Sequence, residues 1–214
     1  MERKPQTFDL HVVANTMPPA LKTELTSFGF DEKVVLGGDP RVCMHHLLSL
    51  RVGERRRADD LYNESVSVIE RYSQFIGYIE QETIAHDLRI VGRGTGKTER
   101  FPEQFHVEDC PVGKYKKCDI HVAIPEMQAD VTDRLKEAGF YYLNLLKPNL
   151  GSVNIATIQT EDLVEGKRIW NLLATYLQHC GSFNGFAKLE ITVAIKNFGF
   201  LLPPIVLSSQ TSVA

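Results

Sequence analysis

Apolar and polar residues alternate from Phe8 to Ala14 about His11, the two-residue period of a half-buried strand. Pro18-Pro19 then stand where helices begin, and Leu21, Leu25 and Phe28 recur at helical spacing up to Gly29, a left-handed cap. Lys33 to Leu36 predicts a second strand, closed by Gly37-Gly38-Asp39-Pro40, and His45 to Val52 a third. A long helix is expected from about Asp59, with Leu61, Val68, Tyr72 and Phe75 on one stripe and Gly77 as its stop. Tyr78 to Ile84 then predicts a fourth strand. The order is βαββαβ.

The same order is written a second time. Cys118–Ile124 reads as a strand, Ala129–Ala138 as a helix capped by Gly139, and Tyr142–Leu146 and Val153–Thr160 as strands. Asp162–Cys180 reads as a helix with Ile169, Trp170, Leu173 and Tyr176 inward, and Phe186–Ile195 as the last strand. Asp9-x-His11 matches Asp119-x-His121 at an offset of 110 residues, and Met17, Leu25 and Gly29-Phe30 match Met127, Leu135 and Gly139-Phe140 without a gap. Such self-similarity is an internal duplication. A βαββαβ unit is the ferredoxin-like motif. The fold expected is therefore α+β, a tandem of two ferredoxin-like units with approximate two-fold symmetry. Its parts are 1–87, a Gly- and charge-rich connector at 88–117, and 118–214 with a C-terminal tail.

Side chains alternate along a strand. If Leu10, Val12 and Ala14 face the helices, Asp9 and His11 face away, as do Asp119 and His121. On the last strands Lys188 and Glu190 fall on that open face, with Glu80 and Glu82 in correspondence. In the ferredoxin-like order the first and fourth strands are neighbours, about 5 Å apart across the pair. Two matching clusters follow, Asp9/His11/Glu80/Glu82 and Asp119/His121/Lys188/Glu190. A polar open face is also what any half-exposed sheet needs, but histidine is an unusual choice for it. With carboxylates in reach, two such histidines suit proton transfer near neutral pH.

Composition narrows the field. The 214 residues are 43% hydrophobic and 24% charged, with net charge −3, a balance that argues against a dedicated nucleic-acid binder. The four cysteines show no disulfide framework. The longest apolar run, Phe198–Leu207, is broken by Pro203-Pro204 and is too short to cross a bilayer as a helix. A cytoplasmic protein is expected. Gly92 to Thr98 ends like a phosphate-binding loop, but the first required glycine falls on Val91. The connector's Arg93 and Lys97 remain candidates for holding an anion. His106, Cys110, Cys118 and His121 are ligand types that zinc accepts, at a spacing foreign to zinc knuckles.

Two partial resemblances concern this chemistry. One histidine per lobe of a duplicated fold resembles the two-histidine phosphoesterases, whose His-x-Thr/Ser is here His11-Val12-Val13 and His121-Val122-Ala123, with Ser49 and Thr157 nearby as substitutes. A histidine on the first strand and a glutamate on the last is similar to ligand placement in vicinal-oxygen-chelate metalloenzymes. The function expected is an enzyme acting on a small anionic, possibly phosphorylated substrate between the repeats. It would be a hydrolase, lyase or isomerase with paired histidines. His11 and His121 would be acid and base, set by Asp9 and Asp119, with Lys188, Glu82, Glu190, Arg93 and Lys97 on the substrate. A non-catalytic binding or assembly module is the alternative. A divalent metal on His11, Glu82, His121 and Glu190 ranks below both, and no metal ligand is assigned.

Overall fold

A computed structural model describes residues 7–37, 44–90, 117–124, 128–147 and 151–199. The first half runs β1 (Phe8–Ala14), α1 (Pro19–Ser27), β2 (Asp31–Gly37), β3 (Met44–Val52), α2 (Arg55–Ile69), a 3-10 turn (Glu70–Phe75) and β4 (Ile76–Ile90). The second runs β5 (Lys117–Ile124), α3 (Ala129–Glu137), β6 (Tyr141–Lys147), β7 (Gly151–Thr160), α4 (Leu163–His179) and β8 (Gly185–Asn197).

The order of elements is the predicted one, but their assembly is not. Instead of two ferredoxin-like sheets in tandem, the strands close into one antiparallel barrel, β1-β3-β2-β6-β7-β5-β8-β4, with four helices. Within each half the neighbours are those expected, since β1 lies between β3 and β4, and β5 between β7 and β8. That order leaves β2 and β4 as edges of one sheet, and β6 and β8 as edges of the other. Unpaired edges are costly to leave open. Here β4 pairs with β8 from Tyr78↔Asn197 to Ile90↔Gly185, and β2 pairs with β6 from Val34↔Leu146 to Gly37↔Leu143. Closure turns the two polar faces inward onto each other.

Local signals hold in most places. Gly29 and Gly139 follow their helices at φ +98° and +88°, where a side chain would be strained. Asp162 caps α4, accepting from the backbone N–H of Val164 at 2.8 Å and of Glu165 at 3.3 Å. Arg55-Arg56-Arg57 form the first turn of α2, which starts four residues before Asp59. Gly77 is not a helix stop; it lies inside β4. β4 also resists a single in/out parity because the β4–β8 register shifts between Gln81 and Glu82 and again between Ile84 and His86. Bulges of this kind re-aim side chains.

The apolar core lies outside the barrel, under the helices. Leu10, Val12 and Ala14 pack with Leu21, Leu25, Leu61 and Ile69; Ile120 and Val122 pack with Leu135, Trp170 and Leu173. Trp170 stacks on His86 of β4, with ring centroids 5.7 Å apart. Among the described residues no helix is long and apolar enough to cross a membrane.

Candidate acid–base site inside the barrel

An eight-stranded barrel has an interior that side chains can fill or that can hold one small ligand. On β1 and β5 the apolar parity faces the helices and the parity of the two histidines faces this interior, where charged groups of β4 and β8 join it. Asp9, Glu80, Glu82, Asp119 and Glu190 are all buried there. Each histidine meets the glutamate of the adjacent strand: His11 Nε2 lies 3.2 Å from Glu82, and His121 Nε2 lies 3.3 Å from Glu190. The registers Asp9↔Glu82 and Asp119↔Glu190 show that these contacts are equivalent in the two repeats.

The aspartates do other work. Asp9 is gripped by both arms of Arg51, at 2.8 Å each, and Asp119 accepts from Gln159 at 2.7 Å. Tautomer control thus falls to the glutamates and, for His121, to Thr157, whose hydroxyl is 2.9 Å from Nδ1. Ser49 stands at the matching position beside His11, but Lys33 donates to it and His11 Nδ1 has no partner among the described residues. Thr157 and Ser49 do sit opposite the histidines, yet only Thr157 touches one.

Lysines tie the repeats together. Lys188 Nζ is 2.6 Å from Glu190 and 3.5 Å from Asp9; Lys117 Nζ is 2.9 Å from both Glu80 and Asp119. Exposure separates the groups: Glu190 and Glu82 side chains are 0% and 3% exposed, whereas His121, Lys188 and His11 keep 23%, 18% and 14%. Solvent therefore reaches the bases and ammonium groups but not the acids that hold them.

Burial drives the titration of these groups apart. Desolvation, with Lys188 beside it, holds His121 down to about 3, and desolvation also lowers His11. Desolvation pushes Glu190 up to about 8 against the pull of Lys188, and raises Glu82 with help from Glu80. Burial opposes ionisation of Asp9, but the Arg51 hydrogen bonds and Lys188 more than compensate and keep it well below the carboxylate range. For Asp119 burial is likewise outweighed, by Lys117 and His121. Burial thus favours the neutral form of both imidazoles and the protonated form of Glu82 and Glu190.

Of the residues expected from the sequence, Asp9, His11, Glu82, Asp119, His121, Lys188 and Glu190 are brought into one interior. Arg93 and Lys97 lie outside the described residues, as does the phosphate-loop-like segment. The zinc set does not assemble as drawn, because Cys118 packs outward against Gly166 of α4 while His121 points inward; His106 and Cys110 lie outside the described residues. Two further expectations need correction. The histidines are not paired with each other, since each ring sits against a glutamate. The hydrolase expectation rested on two lobes with one histidine each, and the strands close into one barrel instead. Lys117, Arg51 and Gln159 were missed, and Thr157 was named only as a substitute hydroxyl. Arg51 and Thr157 were legible from strand alternation, whereas Lys117 was hidden by being counted with the connector. No family model and no curated protein matches this chain.

Proposed function

We propose that the protein is a cytoplasmic proton-transfer enzyme, of the isomerase or lyase kind, acting on a small anionic molecule admitted to the barrel interior. The observation that carries this reading is the pair of equivalent His–Glu contacts, at 3.2 and 3.3 Å, buried in one interior. Groups whose environments push their pKa values apart make natural acid and base partners. The imidazoles and the glutamates against them would pass a proton to and from carbon or oxygen of the substrate. Glu190 links the two repeats, touching His121 directly and offering a carboxylate oxygen within 4.8 Å of a ligand atom of His11. Lys188 and, from the mouth, Arg51 would meet the anionic group.

Proton transfer can be tested without knowing the substrate. The protein is incubated in D2O with pools of small oxo acids, hydroxy acids and sugar phosphates, and deuterium incorporation is followed by NMR. The expected result is exchange in one compound class, lost in His121→Ala. Failure of every pool to exchange, with no shift of the histidine resonances on adding them, would overturn the reading. Histidine shifts without exchange would mark a binding module instead.

A further inference from the structure

We propose that Asp9, His11 and Glu190 form a divalent-cation site spanning both repeats, and that Lys188 is the ammonium group the ion displaces. One ligand atom from each of the three lies within 4.8 Å of the other two. The site has more than acidity to recommend it. Glu190 is wholly buried, and its Oε1 has no hydrogen-bond partner among the described residues. A sealed carboxylate oxygen without a partner is a costly thing to keep.

His11 is set as a ligand in a way that His121 is not. Its Nε2 faces the Glu82 carboxyl at 3.2 Å, and its Nδ1 is buried without a partner. An ionised Glu82 accepting from Nε2 would fix the ring and leave the lone pair on Nδ1, the arrangement usual for a metal-binding imidazole. In the second repeat Thr157 occupies Nδ1 of His121; in the first, Lys33 draws Ser49 away from His11. The duplication thus yields one open imidazole. Asp9 is fixed by the Arg51 fork and retains lone pairs for a further contact.

Lys188 Nζ now sits at 3.5 Å from Asp9 and 2.6 Å from Glu190, the position of a cation between two of the three ligands. An ammonium there leaves the imidazole nitrogen unused, which a transition ion would engage. One nitrogen and two carboxylates suit Mn²⁺, Fe²⁺ or Zn²⁺ better than Ca²⁺. The site goes beyond the proton-transfer reading and does not depend on it. With an ion bound, His11 and Glu190 become ligands, His121 is left as the free imidazole, and Lys188 is released from both carboxylates.

The test is Mn²⁺ binding to the full, chelator-stripped chain, followed by EPR and calorimetry with no substrate present, so it stands apart from the deuterium exchange. Wild type should bind one ion, and both His11→Gln and Glu190→Gln should lose it. Lys188→Gln should bind about tenfold more tightly, because a competing charge is gone; a gain of this kind cannot come from misfolding. Circular dichroism confirms that each variant is folded. The proposal is overturned if neither wild type nor Lys188→Gln binds Mn²⁺, if binding survives both ligand substitutions, or if Lys188→Gln binds more weakly.

Discussion

His11 and His121 occupy one place in two repeats, yet their rings differ in what holds them, and the difference is measurable. Thr157→Val removes the hydroxyl 2.9 Å from His121 Nδ1. It should cost about 1 kcal/mol of stability and alter the tautomer of His121, read from ¹⁵N imidazole shifts, while leaving His11 unchanged. An unchanged His121 signal would show that Glu190 alone sets the ring. The pH dependence follows from the sign of the shift. His121 is held at about 3, against 6.5 in the unfolded chain. Its contribution is therefore full above pH 6.5 and is lost as pH falls toward 3, because the unfolded ring takes a proton that the folded one refuses. His121→Gln lacks this proton, so its stability relative to wild type should rise between pH 7 and pH 4. Urea midpoints at the two pH values check this.

At the scale of elements, the second repeat carries the clearest tests of what positions its strands. Asp162 caps α4 with its side chain, whereas α1, α2 and α3 have no side-chain cap. Asp162→Ala should cost about 1 kcal/mol, seen as a lower urea midpoint. Gly166 lets α4 lie against β5: a Cβ there would meet Cys118 Cβ at 3.0 Å and Sγ at 3.3 Å. Gly166→Ala should destabilise by about 1–3 kcal/mol through overpacking. Gly181→Ala meets nothing within 4 Å and serves as the control. Because Asp119 and His121 sit on the strand that α4 presses, Gly166→Ala should also perturb the His121 resonance. A loss of stability no greater than that of Gly181→Ala would remove the close-packing argument.

For the whole molecule, the two seams that close the barrel are unequal. Among the described residues the β4–β8 seam runs from Tyr78 to Ile90, whereas the β2–β6 seam joins Val34 through Gly37 to Leu143 through Leu146. Local opening follows the weaker set of contacts. Amide hydrogens of Val34–Gly37 should exchange faster than those of β4 under native conditions, and equal protection at both seams would contradict this order of opening. The sequence by itself determined the repeat, the βαββαβ order, the Gly29 and Gly139 caps and which residues of β1 and β5 turn from the helices, since these rest on local periodicity and on glycine and proline stereochemistry. Asp9, His11, Asp119 and His121 were legible for that reason, and Glu82 and Glu190 by correspondence between the repeats. Only the tertiary structure decided that the sheets join, because edge pairing between β4 and β8 or β2 and β6 is hydrogen bonding of backbone groups common to every residue. That closure changes the chemistry: a polar face that would have been solvated becomes an interior of low dielectric, where Glu190 rises to about 8, His121 falls to about 3 and Lys188 reaches Asp9 of the other repeat.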